Sequence, residues 1–371
     1  MLVRPDLVKW PVCRGKVGFL TPTVAPGRAA LRSRPHSILE PATKDTITAS
    51  AASSGALPGP LPLSRVRAGW LAAAVVAGAA GLVVWLVAGS GPDRAAPLVV
   101  EVPGHPTGVA AVDGEVWVAA QRSGLVWVLD ARSGEPVGDP LQTGGAPARL
   151  AAGPKGVWVA DTARGAVIPV QRRPRRAFPE IAPGADVADV ALAARAVWVA
   201  SSAEDTVHAI EPGGRRSVDL GVGDNPVALA ADARRVVAAD AGDGTLAVID
   251  AQDRRVVGPP IRVGGVPVAV ALAGDVAWVA DAQGGAVARV DLRRGARAGA
   301  PIPVGPRPVA IAADGDDVYV LCRGDRSLVY LRDGDVRWRR AVGADPAALA
   351  LDAHHVWVAG AGDDRVMRFD R

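Results

Sequence analysis

One motif recurs seven times at a spacing of about forty residues, and no other property of the chain restricts its fold as strongly. Aligned on the aromatic of V-W-V-A, the copies place Trp117, Trp158, Trp198, Val237, Trp278, Tyr319 and Trp357 in one column, at steps of 41, 40, 39, 41, 41 and 38 residues. Eleven residues before each stands Pro106, Pro147, Val187, Pro226, Pro267, Pro308 or Pro346. Thirteen residues after each stands Asp130, Gln171, Glu211, Asp250, Asp291, Arg332 or Asp370. Two offsets held through seven copies show that length drift is confined to the connections outside this block.

Each copy reads as strands. In the first, Gly108–Val112 precedes the turn Asp113-Gly114, then come Glu115–Ala120, a turn at Arg122–Gly124, Leu125–Asp130, and a looser strand near Val137–Gln142. Runs of β-branched and aromatic residues between Gly/Asp turns are hairpin chemistry. Four antiparallel strands in about forty residues describe one blade of a β-propeller. The aromatic column then belongs between neighbouring blades, as core. The seventh copy stops after its third strand (Arg365–Asp370), while Leu98–Val102 ahead of the first copy resembles the fourth strands elsewhere. The N-terminal strand is therefore expected to complete the last blade, closing a seven-bladed, all-β ring over residues 97–371 and removing free sheet edges. A closed ring predicts a monomer.

The pattern P-x-x-[VIL]-A … [VA]-W-V-A-D … G-x-[VL]-x-x-[VI]-D, over residues 97–371, resembles the bacterial YVTN-type propellers, relatives of the NHL-repeat propellers. The resemblance implies an exported binding protein or a sensor domain like those of membrane Ser/Thr kinases. Residues 1–67 carry no Gly-rich nucleotide loop and no HRD or DFG, so the kinase itself is not implied.

Ahead of the repeats, Ala68–Gly89 is an uncharged run long enough, at about 1.5 Å per helical residue, to cross a membrane. Trp70 and Trp85 lie toward its ends, and Arg65 and Arg67 precede it. The positive-inside rule puts residues 1–67 in the cytosol as a disordered, proline-rich tail. Residues 90–96 are a short linker, and the propeller lies outside the plasma membrane. The alternative is secretion after cleavage near Ser90. The tail holds ten Lys/Arg against three acids, whereas the rest holds 32 against 35, so the basic balance belongs to the tail and the propeller is not expected to bind nucleic acid. Cys13 and Cys322 fall on opposite sides of the membrane in this arrangement and are not expected to pair.

Function is expected on the face formed by the loops leading into the first strands and those joining second to third strands. It gathers His105, Arg122, Asp161, Arg164, Asp186, Asn225, Asp240, Asp281, Arg307, Arg323 and Asp345, with Gln121, Glu204, Asp243 and Asp325 beside them. Asp and Asn also favour such turns for their own backbone bonds. Asp161, Asp240 and Asp281 share one repeat position and form an acidic arc, without EF-hand spacing for a cation. No metal or organic cofactor is expected, and the additional tryptophans that would dock a quinone cofactor are not repeated. No nucleophile–base pair is apparent among the five histidines. The reading is a non-catalytic scaffold for an envelope protein, peptide or glycan. The alternative is an envelope hydrolase, lactonase or lyase built on a propeller.

Overall fold

The computed structural model describes residues 96–371 apart from positions 185, 212 and 215. The expected tail, the span Ala68–Gly89, and the linker up to residue 95 lie outside the described residues. Among the described residues no helix is long and apolar enough to cross a membrane.

These residues form seven antiparallel sheets, one per repeat. The first strands are Pro106–Val112, Pro147–Ala152, Asp189–Ala193, Pro226–Ala231, Pro267–Ala273, Pro308–Asp314 and Pro346–Leu351. They lie side by side around a central axis, the last next to the first. Within each blade the second and third strands follow outward, as in Glu115–Ala120 and Leu125–Asp130 of blade 1. Leu98–Glu101 pairs with the third strand of blade 7, Leu98 opposite Arg368 and Glu101 opposite Arg365, so the ring is clasped as the repeats imply.

The fourth strands are less regular than the sequence suggests. Val137–Gln142 does not form one strand: Leu129 bridges Pro136, Gly138 turns at φ 68°, and only Leu141–Gln142 resumes pairing. Blades 4 and 5 break in the same way, around Gly258 and Gly299. In each case a proline follows within two residues of the glycine (Pro140, Pro259, Pro301), and it offers no N–H to the ladder.

The proline column has its own mechanical consequence. In the six blades that carry it, the register between first and second strands shifts immediately after the proline. Blade 3, with Val187 in that column, shows regular pairing from Asp189. Proline cannot donate to the ladder, and the resulting bulge leaves the next residue unpaired.

Seven apolar clusters fill the seven seams between blades. Trp117 of blade 1 packs on Val157, Val159 and Ile168 of blade 2. Trp198 of blade 3 meets Val236, Ala238 and Ile249 of blade 4, and Trp357 of blade 7 meets Val116, Val118 and Leu129 of blade 1. Trp158, Val237, Trp278 and Tyr319 occupy the equivalent seams. A large ring facing Ala and Val on the next blade fills the wedge between two twisted sheets. Removing one such side chain typically costs about 3–5 kcal/mol.

Candidate functional site

The residue that follows the proline column, at the register shift in six blades and after Val187 in blade 3, lies at the mouth of the axis. Thr107, Ala148, Ala188, Val227, Val268, Val309 and Ala347, one from each blade, line a cavity of about 520 Å³. Its rim carries Gln121, Thr162, Arg149, Arg307 and Arg323. Apart from Thr107 the collar is apolar, and the three charged residues of the lining are all arginines.

Two of the expected face residues meet at this mouth. Arg307 is exposed, on a backbone with φ 52°, and Arg323 donates from Nε to Asp345 Oδ1 at 2.9 Å and to the carbonyl of Pro346 at 3.2 Å. Asp345 thereby orients Arg323, and its own residue also adopts a positive φ of 46°. Arg149 was not anticipated. It lies two residues after Pro147, a position occupied elsewhere by Gly108, Ala228, Ala269, Ala310 and Ala348. Its Nη1 bonds the Thr107 carbonyl at 3.3 Å. The same position in blade 3 is Asp189, whose Oδ2 accepts the Leu229 N–H at 2.8 Å. Burial raises the Asp189 pKa, and the charge of nearby Arg149 opposes that rise. Sequence periodicity does carry this signal, as two charged residues in an Ala/Gly column. Where that column points depends on the bulge, which spacing alone does not reveal.

The other expected residues serve mostly as loop anchors. Asp161 is fully buried, and its Oδ1 accepts the N–H groups of Ala146, Ala163 and Arg164 at 2.9, 3.1 and 3.2 Å. Asp281 repeats this with Val266 at 2.9 Å and Gln283 at 3.0 Å. The loops in front of them need glycine at Gly145 and Gly265. Both have positive φ, and an added Cβ would stand 1.7 and 2.1 Å from the Asp161 and Asp281 carboxylates. Asp186 accepts the hydroxyls of Ser201 and Ser202, both at 2.6 Å. Burial works against its charge, yet those bonds hold its pKa below the ordinary carboxylate range. The backbone N–H groups of His105 and Asn225, at φ 67° and 56°, are held by Asp364 and Asp205 of the preceding blades at 2.7 and 2.9 Å. Arg164 pairs with Glu180 at 3.1 Å, and Arg122 is exposed.

Asp240 differs from its repeat partners. It is fully buried and its Oδ1 has no partner, while Oδ2 is 3.3 Å from Thr245 Oγ1. Burial pushes its pKa up to about 7, helped by Asp243 and Asp205 and opposed by bonds from Thr245 and the Gly223 backbone. In the arc, Asp161 and the half-buried Asp281 are turned back onto their own loops, and Asp240 is buried beside Thr245. Among the described residues no group of three or more His, Cys, Asp or Glu side chains is arranged to hold a metal ion.

One histidine arrangement was also not anticipated. His208 is buried, with Nδ1 2.9 Å from Asp219 Oδ1 and Nε2 3.0 Å from Glu204 Oε2. Carboxylates engage both ring nitrogens, which leaves neither placed to take a proton from a substrate.

Seven sheets closed into a ring around an axial, arginine-rimmed mouth define a seven-bladed β-propeller. Residues 184–367, just under half of the chain, match the family described as outer membrane protein assembly factor BamB. Among solved structures the chain is similar to virginiamycin B lyase from Staphylococcus aureus, at TM-score 0.65 and 15% identity, over 74% of this chain and 99% of that one. It is similar to the hydrazine synthase of Kuenenia stuttgartiensis, at TM-score 0.64 and 17% identity, over 76% and 98%. A third likeness is to U3-55K, at TM-score 0.64 and 14% identity, over 74% and 98%. These likenesses concern the fold, which hosts unrelated functions. No curated protein matches the chain.

Proposed function

We propose that the protein is a membrane-anchored, extracytoplasmic propeller of the cell envelope that binds an anionic ligand at its axial mouth without transforming it. The anchor is Ala68–Gly89, and the YVTN/NHL-like repeat motif accords with an exported binding or sensor role. The observation that carries the reading is the rim of Arg149, Arg307 and Arg323 around an apolar collar. Guanidinium groups over a partly desolvated floor favour carboxylates, and an acidic peptide segment of an envelope protein supplies several. Asp345 pairs with Arg323 and Asp189 lies beside Arg149, and Arg307 adds an exposed guanidinium to the rim.

The test is titration of the full-length protein with fluorescent acidic, neutral and basic peptides. Acidic peptides should bind best and weaken with salt. The double variant Arg307→Ala/Arg323→Ala should lose at least about tenfold, roughly 1.4 kcal/mol. Equal affinity for all three peptides, or an unaffected double variant, would reject the reading. The second reading is a propeller hydrolase, lactonase or lyase, favoured by the His208–Asp219–Glu204 cluster and by the fold of the lyase above. It requires turnover that His208→Ala abolishes, and the double engagement of the ring is the argument against it.

A further inference from the structure

A second cavity, of about 450 Å³, lies at the seam of blades 6 and 7, among turns on the face opposite the axial mouth. Its walls include Asp314, Asp317, Tyr330, Arg332, Trp338 and Arg371. We propose that this cavity binds a neutral sugar ring, such as a hexopyranose unit of a polysaccharide.

The first argument is the place where the repeat breaks. The chain has two tyrosines, Tyr319 and Tyr330, and both stand here. In the column of Tyr330 the other blades carry Val128, Pro169, Ala209, Val248, Arg289 and Arg368. Tyr330 stacks on Tyr319 with ring centroids 5.0 Å apart, and Trp338 lies 5.2 Å from Tyr330. Arg340 packs over Trp338 at 4.9 Å. Three rings gather in this one blade of a chain with 4% aromatic residues, where no other blade carries more than two.

The second argument is the fate of the turn-capping column. Asp130, Asp250 and Asp291 accept N–H groups from the turns that follow them, as Asp130 does from Arg132 and Ser133 at 2.9 and 2.8 Å. In blade 6 that position is Arg332, which cannot accept a hydrogen bond. Its turn is instead the two-residue hairpin Asp333-Gly334, with φ 56° and 84°, which closes without a cap. The column residue is therefore released from its structural duty. The Arg332 side chain is 58% exposed beside the cavity, 3.7 Å from Asp317.

The third argument is charge balance, and it selects the ligand. Two carboxylates, Asp314 and Asp317, face two guanidiniums, Arg332 and Arg371. Arg371 bonds Asp314 at 2.7 Å, and Tyr330 donates to Asp317 at 2.5 Å. A balanced wall prefers neither anions nor cations. Sugar hydroxyls both donate and accept, so they need both kinds of partner within reach, while the C–H face of the ring lies against an aromatic wall. The volume is in the usual range for a small-molecule pocket, about 300–1,000 Å³.

The proposal is independent of the axial mouth. Its test is calorimetric titration of the full-length protein with maltose, cellobiose, lactose and chitobiose, and with inorganic phosphate as an anionic comparison. At least one disaccharide should bind with a Kd of about 1 mM or tighter. Trp338→Ala and Arg332→Ala should each weaken it at least tenfold, while Arg307→Ala at the mouth should leave it unchanged. Arg332 is exposed, so Arg332→Ala keeps the question decidable if Trp338→Ala fails to fold. No heat with any disaccharide, binding of phosphate instead, or sugar binding indifferent to Arg332→Ala would each overturn the proposal.

Discussion

Replacing Asp240 with asparagine should make the fold more stable at pH 8 than the wild type while changing little at pH 4. In the folded chain its carboxyl is pushed up to about 7 by burial, then by the nearby Asp243 and Asp205. In the unfolded chain it ionises near pH 3.9. Between those values the folded state keeps a proton that the unfolded state has lost. The contribution to stability is therefore full below about pH 4, falls as pH rises toward 7, and is level above. Three pKa units at about 1.4 kcal/mol each set an upper bound near 4 kcal/mol, and local relaxation around the ionised group brings the expected loss to about 2–4 kcal/mol. Asparagine keeps the shape and has no such proton to lose. In a domain of this size 1 kcal/mol moves Tm by about 2 °C, so Asp240→Asn should melt about 4–8 °C above wild type at pH 8. The assay is thermal melting of both proteins at pH 4, 5, 6, 7 and 8. The difference between the two curves isolates Asp240, because Asp186, Asp232, Asp352 and Glu115, whose lowered pKa values stabilise the fold at neutral pH and cease to do so in acid, are common to both. A constant difference from pH 4 to pH 8 would refute the reasoning.

Three further outcomes are expected. Arg172→Met should destabilise the fold by about 2 kcal/mol in a denaturant titration, because the buried guanidinium joins Asp113 at 2.7 Å and Glu115 at 3.1 Å across the seam of blades 1 and 2 and its loss leaves the half-buried Glu115 with Arg175 and the Trp117 N–H alone. Adding Glu115→Gln to that variant should recover part of the loss. Replacing Val100 by proline, which removes the N–H facing Val366, should melt the clasp and lower Tm by several degrees, and size-exclusion chromatography should detect association through the bared edge of blade 7. Cys322, whose thiol is pushed up to about 11 chiefly by burial, should resist a thiol reagent at pH 8 in the native protein and react promptly in denaturant.

The ring was legible because its determinants are local and repeated. The tryptophan column names the seams, the proline column names the strand starts, and Leu98–Glu101 pairs where the missing fourth strand of blade 7 required it. The site was legible only in part. Asp161 and Asp281 look the same in sequence whether they face solvent or turn back to hold Ala146 and Val266, and only the positive-φ glycines ahead of them hint at the second arrangement. Arg149 escaped notice because a one-residue bulge decides which side chains meet at the axis. Val137–Gln142 was read as one strand because its β-branched and aliphatic residues suit one, while Gly138 and Pro140 interrupt the ladder.

The clasp also sets an order of events. The Val102 N–H donates to the carbonyl of Asp364 at 2.8 Å, so residues more than 260 positions apart in the chain must find each other before the circle is complete. At translation rates of about 5–20 residues per second, the leading strand waits roughly 13–50 s for its mate to be synthesised. Throughout that interval six blades can assemble one upon the next while blade 1 lacks the neighbour whose Trp357 seals its outer side. The seventh seam is thus the last to form as the chain emerges, and until then Leu98–Glu101 has no strand to pair with.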